Sequence, residues 1–172
     1  MAMKIFNVGD VLGAADVNEY LVNTRVGVKP ADTSRTSNAV LTADPDMVVT
    51  ADASKTYEML VTAVFNGPTA GGFQCNMICP NSTTFTGLGW ELNGSTGLFV
   101  GGTVFQGLAS GFLLAPQHLT TVTGSDMAWT YSGTLTTAGS GGLVTFRWAQ
   151  DTSNATSTIL RAGSALRLKR IA

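Results

Sequence analysis

The amino-acid sequence predicts an all-β protein, a jelly-roll-like β-sandwich head preceded by a short N-terminal arm with one short helix. Beyond residue 38, short stretches that alternate apolar and polar residues recur roughly every 8 to 15 residues, with no long helical period between them. Segments such as "NGPTAGG" and "AGSGG" separate these stretches and supply turns. An immunoglobulin-like sandwich would give a similar strand count, so the jelly roll is the more specific of two open alternatives.

The arm contains one candidate helix, in the stretch "ADVNEYLVN". Val17, Tyr20 and Leu21 recur there at helical spacing, and Asp16 can cap the N-terminus. Because so short a helix is marginal alone in water, its apolar residues need a partner surface. We therefore predict that Val17, Tyr20 and Leu21 form an attachment interface.

A linker follows the helix. Pro30 and the turn-forming residues of "KPADTSRTSN" predict an extended or irregular segment. The chain therefore divides into an attachment arm, residues 1–38, and a β-sandwich head, residues 39–172. Two arrangements of the arm remain open, since it can reach away to a neighbouring protein or fold back and cap its own sandwich. In the first arrangement the head keeps its stability without the arm and still self-associates.

The strands of the head follow from their alternation, which places one apolar face of each strand in the core. The stretch "VLTADPDMVVT" predicts two strands split by a turn at "DPD", and "GLGWEL", "TGLFVGGTVF" and "QHLTTV" predict further strands. The predicted inward residues are Tyr57, Met59, Val61, Ala63 and Phe65, then Phe73, Cys75, Met77 and Cys79, then Met127, Trp129, Tyr131, Gly133 and Leu135, then Val144, Phe146 and Trp148, and finally Leu166 and Leu168.

Charge is distributed very unevenly along the chain. Thirteen of the 21 charged residues lie in the first 58 positions, whereas the stretch from Met59 to Ser125 contains one, Glu91. Charge is depleted at the centres of protein interfaces, because an unpaired ion loses its hydration on burial. We therefore predict that much of the head surface faces other subunits. The alternative is a neutral, threonine-rich face in solvent.

The composition gives no reason to expect nucleic acid or a membrane as a partner. The net charge is −1, and the only basic cluster, "RLKR", fits the solvated face of a last strand with Arg167 and Lys169 side by side. The N-terminus does not resemble a signal peptide, and no apolar run approaches the roughly 20 residues of a membrane-spanning helix.

No group of residues predicts catalysis, a metal site or a cofactor. Glycoside hydrolysis needs two carboxylates across a cleft, and the head offers only Glu91 with Asp126 or Asp151, without a local motif. His118 has no predicted nucleophile and acid beside it, so we expect a surface or hydrogen-bonded loop histidine. Cys75 and Cys79 lie too far apart on one strand to bridge, and they lack further zinc ligands. We expect two buried thiols and no enzyme activity.

Three stretches together resemble a known family. "FNVGDVLGAADVNEYLVNTRVGVKPADTSRTSN", "LTADPDMVVTADASKTYEM" and "FRWAQDTSNATSTILRAGSALRLKRI" are similar to minor tail or fibre-type structural proteins of bacteriophages that infect actinobacteria. The resemblance covers both ends of the chain but not the middle. It implies a virion component made in the host cytoplasm, anchored to other phage virion proteins. It also implies a homotrimer of jelly-roll heads, similar to tumour-necrosis-factor-like and C1q-like folds.

Two other roles within a virion remain open at this point. A capsid fibre or decoration protein fits the same composition. A receptor-binding or glycan-binding module would need an exposed aromatic ring to stack on a sugar. Trp90, Trp129, Tyr131 and His118 are the candidates for that contact. Trp129 falls in an alternating strand and is expected in the core, so Trp90, between "GLG" and "ELNG", is the better candidate.

Overall fold

The computed structural model describes residues 23–80, 83–93, 98–109 and 117–172. Within these residues the regular structure is strand alone, which confirms the all-β prediction. The twelve strands of the described part are β1 (Thr24–Val28), β2 (Thr33–Arg35), β3 (Thr42–Ala51), β4 (Thr56–Asn66), β5 (Phe73–Ile78), β6 (Thr83–Asn93), β7 (Leu98–Ala109), β8 (Gln117–Leu119), β9 (Met127–Thr136), β10 (Gly142–Ala149), β11 (Thr158–Leu160) and β12 (Ala165–Arg170).

The strands form two antiparallel sheets with jelly-roll topology. Sheet 1 has the order β1-β12-β4-β9-β6-β7, with β11 against one end of β4 and β2 against β11. Sheet 2 has the order β3-β10-β5-β8. The pairs are nested, since β1 pairs β12, β3 pairs β10, β4 pairs β9 and β5 pairs β8. This rolled-up pairing confirms the jelly-roll prediction. Along the chain, the β6–β7 hairpin lies between β5 and β8. In space, it extends sheet 1 beyond β9.

The core lies between the two sheets, and alternation places its residues there. Along β4 every second side chain is buried, from Tyr57 to Phe65. The predicted inward faces are confirmed throughout, with Gly133 half-buried and the others buried. Phe73 of β5 stacks between Phe65, at 4.2 Å between ring centroids, and Trp148, at 5.6 Å. Burial of each such ring contributes about 1.5–3 kcal/mol to folding.

The "DPD" segment does not split the strand as predicted. β3 runs continuously from Thr42 to Ala51, and its pairing with β10 shifts register across this segment. Because Pro45 has no N–H to donate, it fits only where the ladder is interrupted, and the irregularity provides that place. The expected turn is therefore a bulge inside one strand. The bulge turns the side chain of Asp44 into the protein.

Residues 24–38, which include the predicted linker "KPADTSRTSN", do not form an arm separate from the head. β1 is hydrogen-bonded to β12 along all of Thr24–Val28, and β2 pairs with β11. Gly27 lets the β1 backbone approach β3, because a Cβ there would lie 2.7 Å from the carbonyl oxygen of Asp46. The boundary at residue 38 is therefore wrong for these residues, which belong to the head. The predicted helix, with Val17, Tyr20 and Leu21, lies outside the described residues.

Candidate functional site

One edge of sheet 1 is formed by three neighbouring strands that carry almost no charge. Adjacent strands β9, β6 and β7 contain one charged residue in their sequences, Glu91. On the other side of β4, by contrast, β12 carries Arg167 and Lys169, which alternate with buried leucines as predicted. Two of these strands, β6 and β7, come from the charge-poor stretch of the sequence, and with β9 they form one continuous charge-poor region, which we call the neutral edge (β9, β6 and β7).

The outward side chains of the neutral edge are small where the structure describes them. On β9 the core residues alternate with five side chains that are half-buried or exposed, namely Ala128, Thr130, Ser132, Thr134 and Thr136. Thr134 is in register with Thr86 of β6, and both are exposed. Hydroxyl groups can satisfy their hydrogen bonds across an interface without the desolvation cost of an ion.

Of the predicted sugar-stacking residues, two are in the core. Trp129 and Tyr131 are 2% and 0% exposed, so neither ring can meet a ligand at the surface. Burial also raises the pKa of the Tyr131 hydroxyl. His118 is exposed on β8, and its Nδ1 is hydrogen-bonded to Asp151 Oδ1. This confirms the expectation of a hydrogen-bonded surface histidine.

The remaining predicted contact residues are less completely described. Trp90 lies on β6, in register with Thr130 of β9 and Gly102 of β7. Its side chain lies outside what the structure describes, so Trp90 stays a prediction. The attachment residues Val17, Tyr20 and Leu21 stay predictions for the same reason.

Two of the carboxylates considered for catalysis, Asp126 and Asp151, have structural partners. Asp126 Oδ1 accepts hydrogen bonds from Arg161 Nε at 2.9 Å and from Asn66 Nδ2 at 3.2 Å. Hydrogen bonds to Asp32 and Asp126 raise the pKa of Arg161, so this side chain stays charged. Cys75 and Cys79 are buried as predicted. Across the described ranges, no group of three His, Cys, Asp or Glu residues could hold a metal ion.

One group of buried, hydrogen-bonded polar side chains was not predicted from the sequence. Lys29 follows β1 and Asp44 lies in the β3 bulge, and both side chains are fully buried. Nζ of Lys29 is 2.8 Å from Oδ2 of Asp44 and 3.2 Å from Oδ2 of Asp46, whose side chain is one-third exposed. We call these residues, together with Arg35 and Trp148, the Lys29 cluster.

Both carboxylate oxygens of Asp44 accept hydrogen bonds. Its Oδ1 accepts from the backbone N–H of Asp46 at 3.1 Å and of Met47 at 3.3 Å. Its Oδ2 accepts from Trp148 Nε1 at 3.1 Å, in addition to Lys29. Burial opposes ionisation, but the hydrogen bonds from Lys29, the backbone and Trp148 outweigh it and hold the pKa of Asp44 below its usual value.

Arg35 covers the outer side of the cluster. Its guanidinium lies 4.1 Å from the ring centroid of Trp148 and donates to the Trp148 carbonyl oxygen. Burial lowers the pKa of Arg35. Two residues beyond Trp148, Gln150 Oε1 accepts from the N–H groups of Asn38 and Asn154, each at 3.1 Å. The stretches "KPADTSR", "LTADPDM" and "FRWAQ", which carry the family resemblance, therefore meet around the buried Lys29–Asp44 pair.

Comparison with known proteins adds little to this description. No protein-family model matches the chain, and no curated protein matches it. The VP2 subviral particle of infectious bursal disease virus aligns at 15% identity over 86% of this chain, with a TM-score of 0.20. The Gx strain of the same virus aligns at 11% identity over 84% of this chain, with a TM-score of 0.21. This chain spans 41% and 40% of those chains. At such TM-scores the alignments establish no common fold.

Within the described residues, no helix has the length and apolar character needed to cross a membrane.

Proposed function

We propose that the protein is a structural component of a bacteriophage virion, a minor tail or fibre-type protein that self-assembles through its jelly-roll head. The proposed role is not enzymatic and uses no cofactor. The observation that supports it is the neutral edge, since three adjacent strands carry one charged residue among them. The motif resemblance supports the virion assignment.

The neutral edge suits contact with a second copy for a physical reason. Packing the outward face of β9 on a partner buries Thr, Ser and Ala side chains, none of which is an ion that would lose its hydration. A stable interface needs about 800 Å² from each partner, which a face of three long strands can supply. The resemblance implies three copies, and the assembly is proposed as a homotrimer.

The arm is proposed as the anchor to neighbouring virion proteins. Because residues 24–38 are part of the head, the anchor is confined to the residues before β1. Val17, Tyr20 and Leu21 remain its proposed contact residues. A segment attached at β1 transmits any pull directly to the outermost strand of sheet 1.

The test compares self-association of the full chain with two Thr→Lys variants. Thr134→Lys places a charge on the neutral edge, and Thr50→Lys places the same charge on an exposed position of β3 in the other sheet. We expect light scattering to show a trimer for the wild type and for Thr50→Lys, and a monomer for Thr134→Lys. A wild-type chain that stays monomeric at tens of micromolar, or equal behaviour of the two variants, would contradict the proposal.

A further inference from the structure

The Lys29 cluster holds an amine and a carboxyl group in contact, away from water. Lys29 and Asp44 are 1% and 0% exposed, and Nζ lies 2.8 Å from Oδ2. The carboxyl carbon is one covalent bond beyond that oxygen, so the amine is close to attacking distance for acyl transfer. We propose that Lys29 and Asp44 condense in the folded protein to form an intramolecular isopeptide bond, an amide between Nζ and Cγ.

The surroundings of Asp44 fit the tetrahedral intermediate of that reaction. Oδ1 receives two backbone N–H donors, from Asp46 and Met47, at 3.1 and 3.3 Å. Negative charge develops on this oxygen when the amine adds, and paired backbone donors are the usual means of stabilising it. The same donors then satisfy the carbonyl oxygen of the amide. Trp148 Nε1 donates to Oδ2, which is the oxygen that leaves.

Asp46 supplies the proton carrier that the step requires. In the reacting form, which is the minor one because the pKa of Asp44 is held low, the Lys29 ammonium has passed a proton to Oδ2 along their hydrogen bond. This transfer frees the lone pair of Nζ to attack Cγ. The carboxylate of Asp46, 3.2 Å from Nζ, takes the second proton and returns it to Oδ2. The C–O bond breaks, one water molecule leaves, and the amide keeps one proton on nitrogen. Asp46 ends unchanged, and no oxidant or cofactor is needed.

The sequence around Asp44 excludes the most common competing loss of water. An aspartate can cyclise to a succinimide only through the N–H of the next residue, and Pro45 has none. Burial also favours the amide over the separate amine and carboxyl groups. The amide replaces an ion pair that is costly to bury, and the water molecule that is released escapes to solvent.

The bond would tie β1 to β3 and therefore one sheet to the other. If the arm is an anchor, as the proposed function holds, a pull on the N-terminus would peel β1 only as far as Lys29. The bond itself does not depend on that role, and its test does not involve virions or oligomeric state.

The test is the intact mass of the purified full chain, fresh and after prolonged incubation, followed by a tryptic map. We expect the chain to be lighter than its sequence mass by one water molecule. Trypsin releases residues 26–35 and 36–55 separately, since Lys29 precedes Pro30 and is left uncut. With the bond present, these two peptides appear as one species of their summed mass minus one water. Because this map uses the wild type, it holds even if variants fold poorly.

Three variants complete the test. Lys29→Arg keeps the charge but cannot form the amide, so it should show the full sequence mass. Lys169→Arg alters an exposed lysine and should lose water as the wild type does. Asp46→Asn removes the proton carrier and should slow cross-linking about a hundredfold or more. Separate 26–35 and 36–55 peptides in fresh and incubated wild type would overturn the proposal, as would a loss of water that persists in Lys29→Arg.

Discussion

Deleting residues 1–38 should unfold the head, whereas deleting residues 1–22 should leave its stability nearly unchanged. The larger deletion removes β1, β2 and Lys29, while the smaller one keeps every strand that the structure describes. Of the two arrangements that the sequence left open, the arm that reaches away predicted a head that tolerates loss of residues 1–38. The pairing of β1 with β12 and the buried ion pair of Lys29 reverse that expectation.

The size of the effect follows from what the larger deletion leaves behind. Asp44, at 0% exposure, loses the cation that neutralises it, and breaking a buried ion pair in this way costs about 3–5 kcal/mol. The ladder of five residue pairs between β1 and β12 is lost as well, at about 0.5–1.5 kcal/mol for each hydrogen bond. The loss is therefore comparable with the total stability of a typical domain, about 5–15 kcal/mol.

Thermal and urea unfolding of the two truncated chains against the full chain measure this difference. The ion pair alone corresponds to a fall in Tm of about 6–20 °C for a chain of this size. We expect the 39–172 fragment to show at least that fall, or no cooperative transition. If the 39–172 fragment keeps its Tm within a few degrees, the assignment of residues 24–38 to the head is refuted. A large loss in the 23–172 fragment would instead mean that the first 22 residues cap the sandwich.

Three further predictions concern side chains of the head. In a Lys29→Arg chain, where the Asp44 carboxylate persists, Trp148→Phe removes the indole N–H from that carboxylate and should cost about 1–3 kcal/mol in urea unfolding, and an unchanged midpoint would contradict that hydrogen bond. Phe146→Ala should cost about 3–5 kcal/mol, whereas Leu143→Ala, on the exposed side of the same strand, should stay within about 0.5 kcal/mol. The hydrogen bond from Arg25 holds the pKa of Asp52 below its usual value, so their pair stabilises the fold above about pH 4 and ceases to do so as pH falls through the lower folded-state value. Because both side chains are over one-third exposed, the effect should be below about 1 kcal/mol, and Asp52→Asn should remove it from the urea midpoint measured against pH.

Local sequence determined the faces of the strands. In β4, β9 and β10 the inward residues were predicted from period-two alternation, because adjacent side chains of a strand point to opposite sides whatever the strand pairs with. The sequence also predicted a charge-poor surface, since the residues of the neutral edge are nearly contiguous in the chain. The hairpin of β6 and β7 then keeps them together in space.

Pairing partners were decided only by the tertiary structure. "TRVGV" becomes β1 because β12, more than 130 residues away, offers it an open edge, and no local pattern distinguishes that outcome from a linker. The Lys29 cluster is a stronger case, since Asp44 and Trp148 are 104 positions apart and their contact depends on the β3 bulge and the rolled order of the strands. A charged residue in the sequence looks like a surface residue because burying one ion alone is costly. Lys29 and Asp44 can be buried because the fold brings opposite charges and backbone donors to the same place.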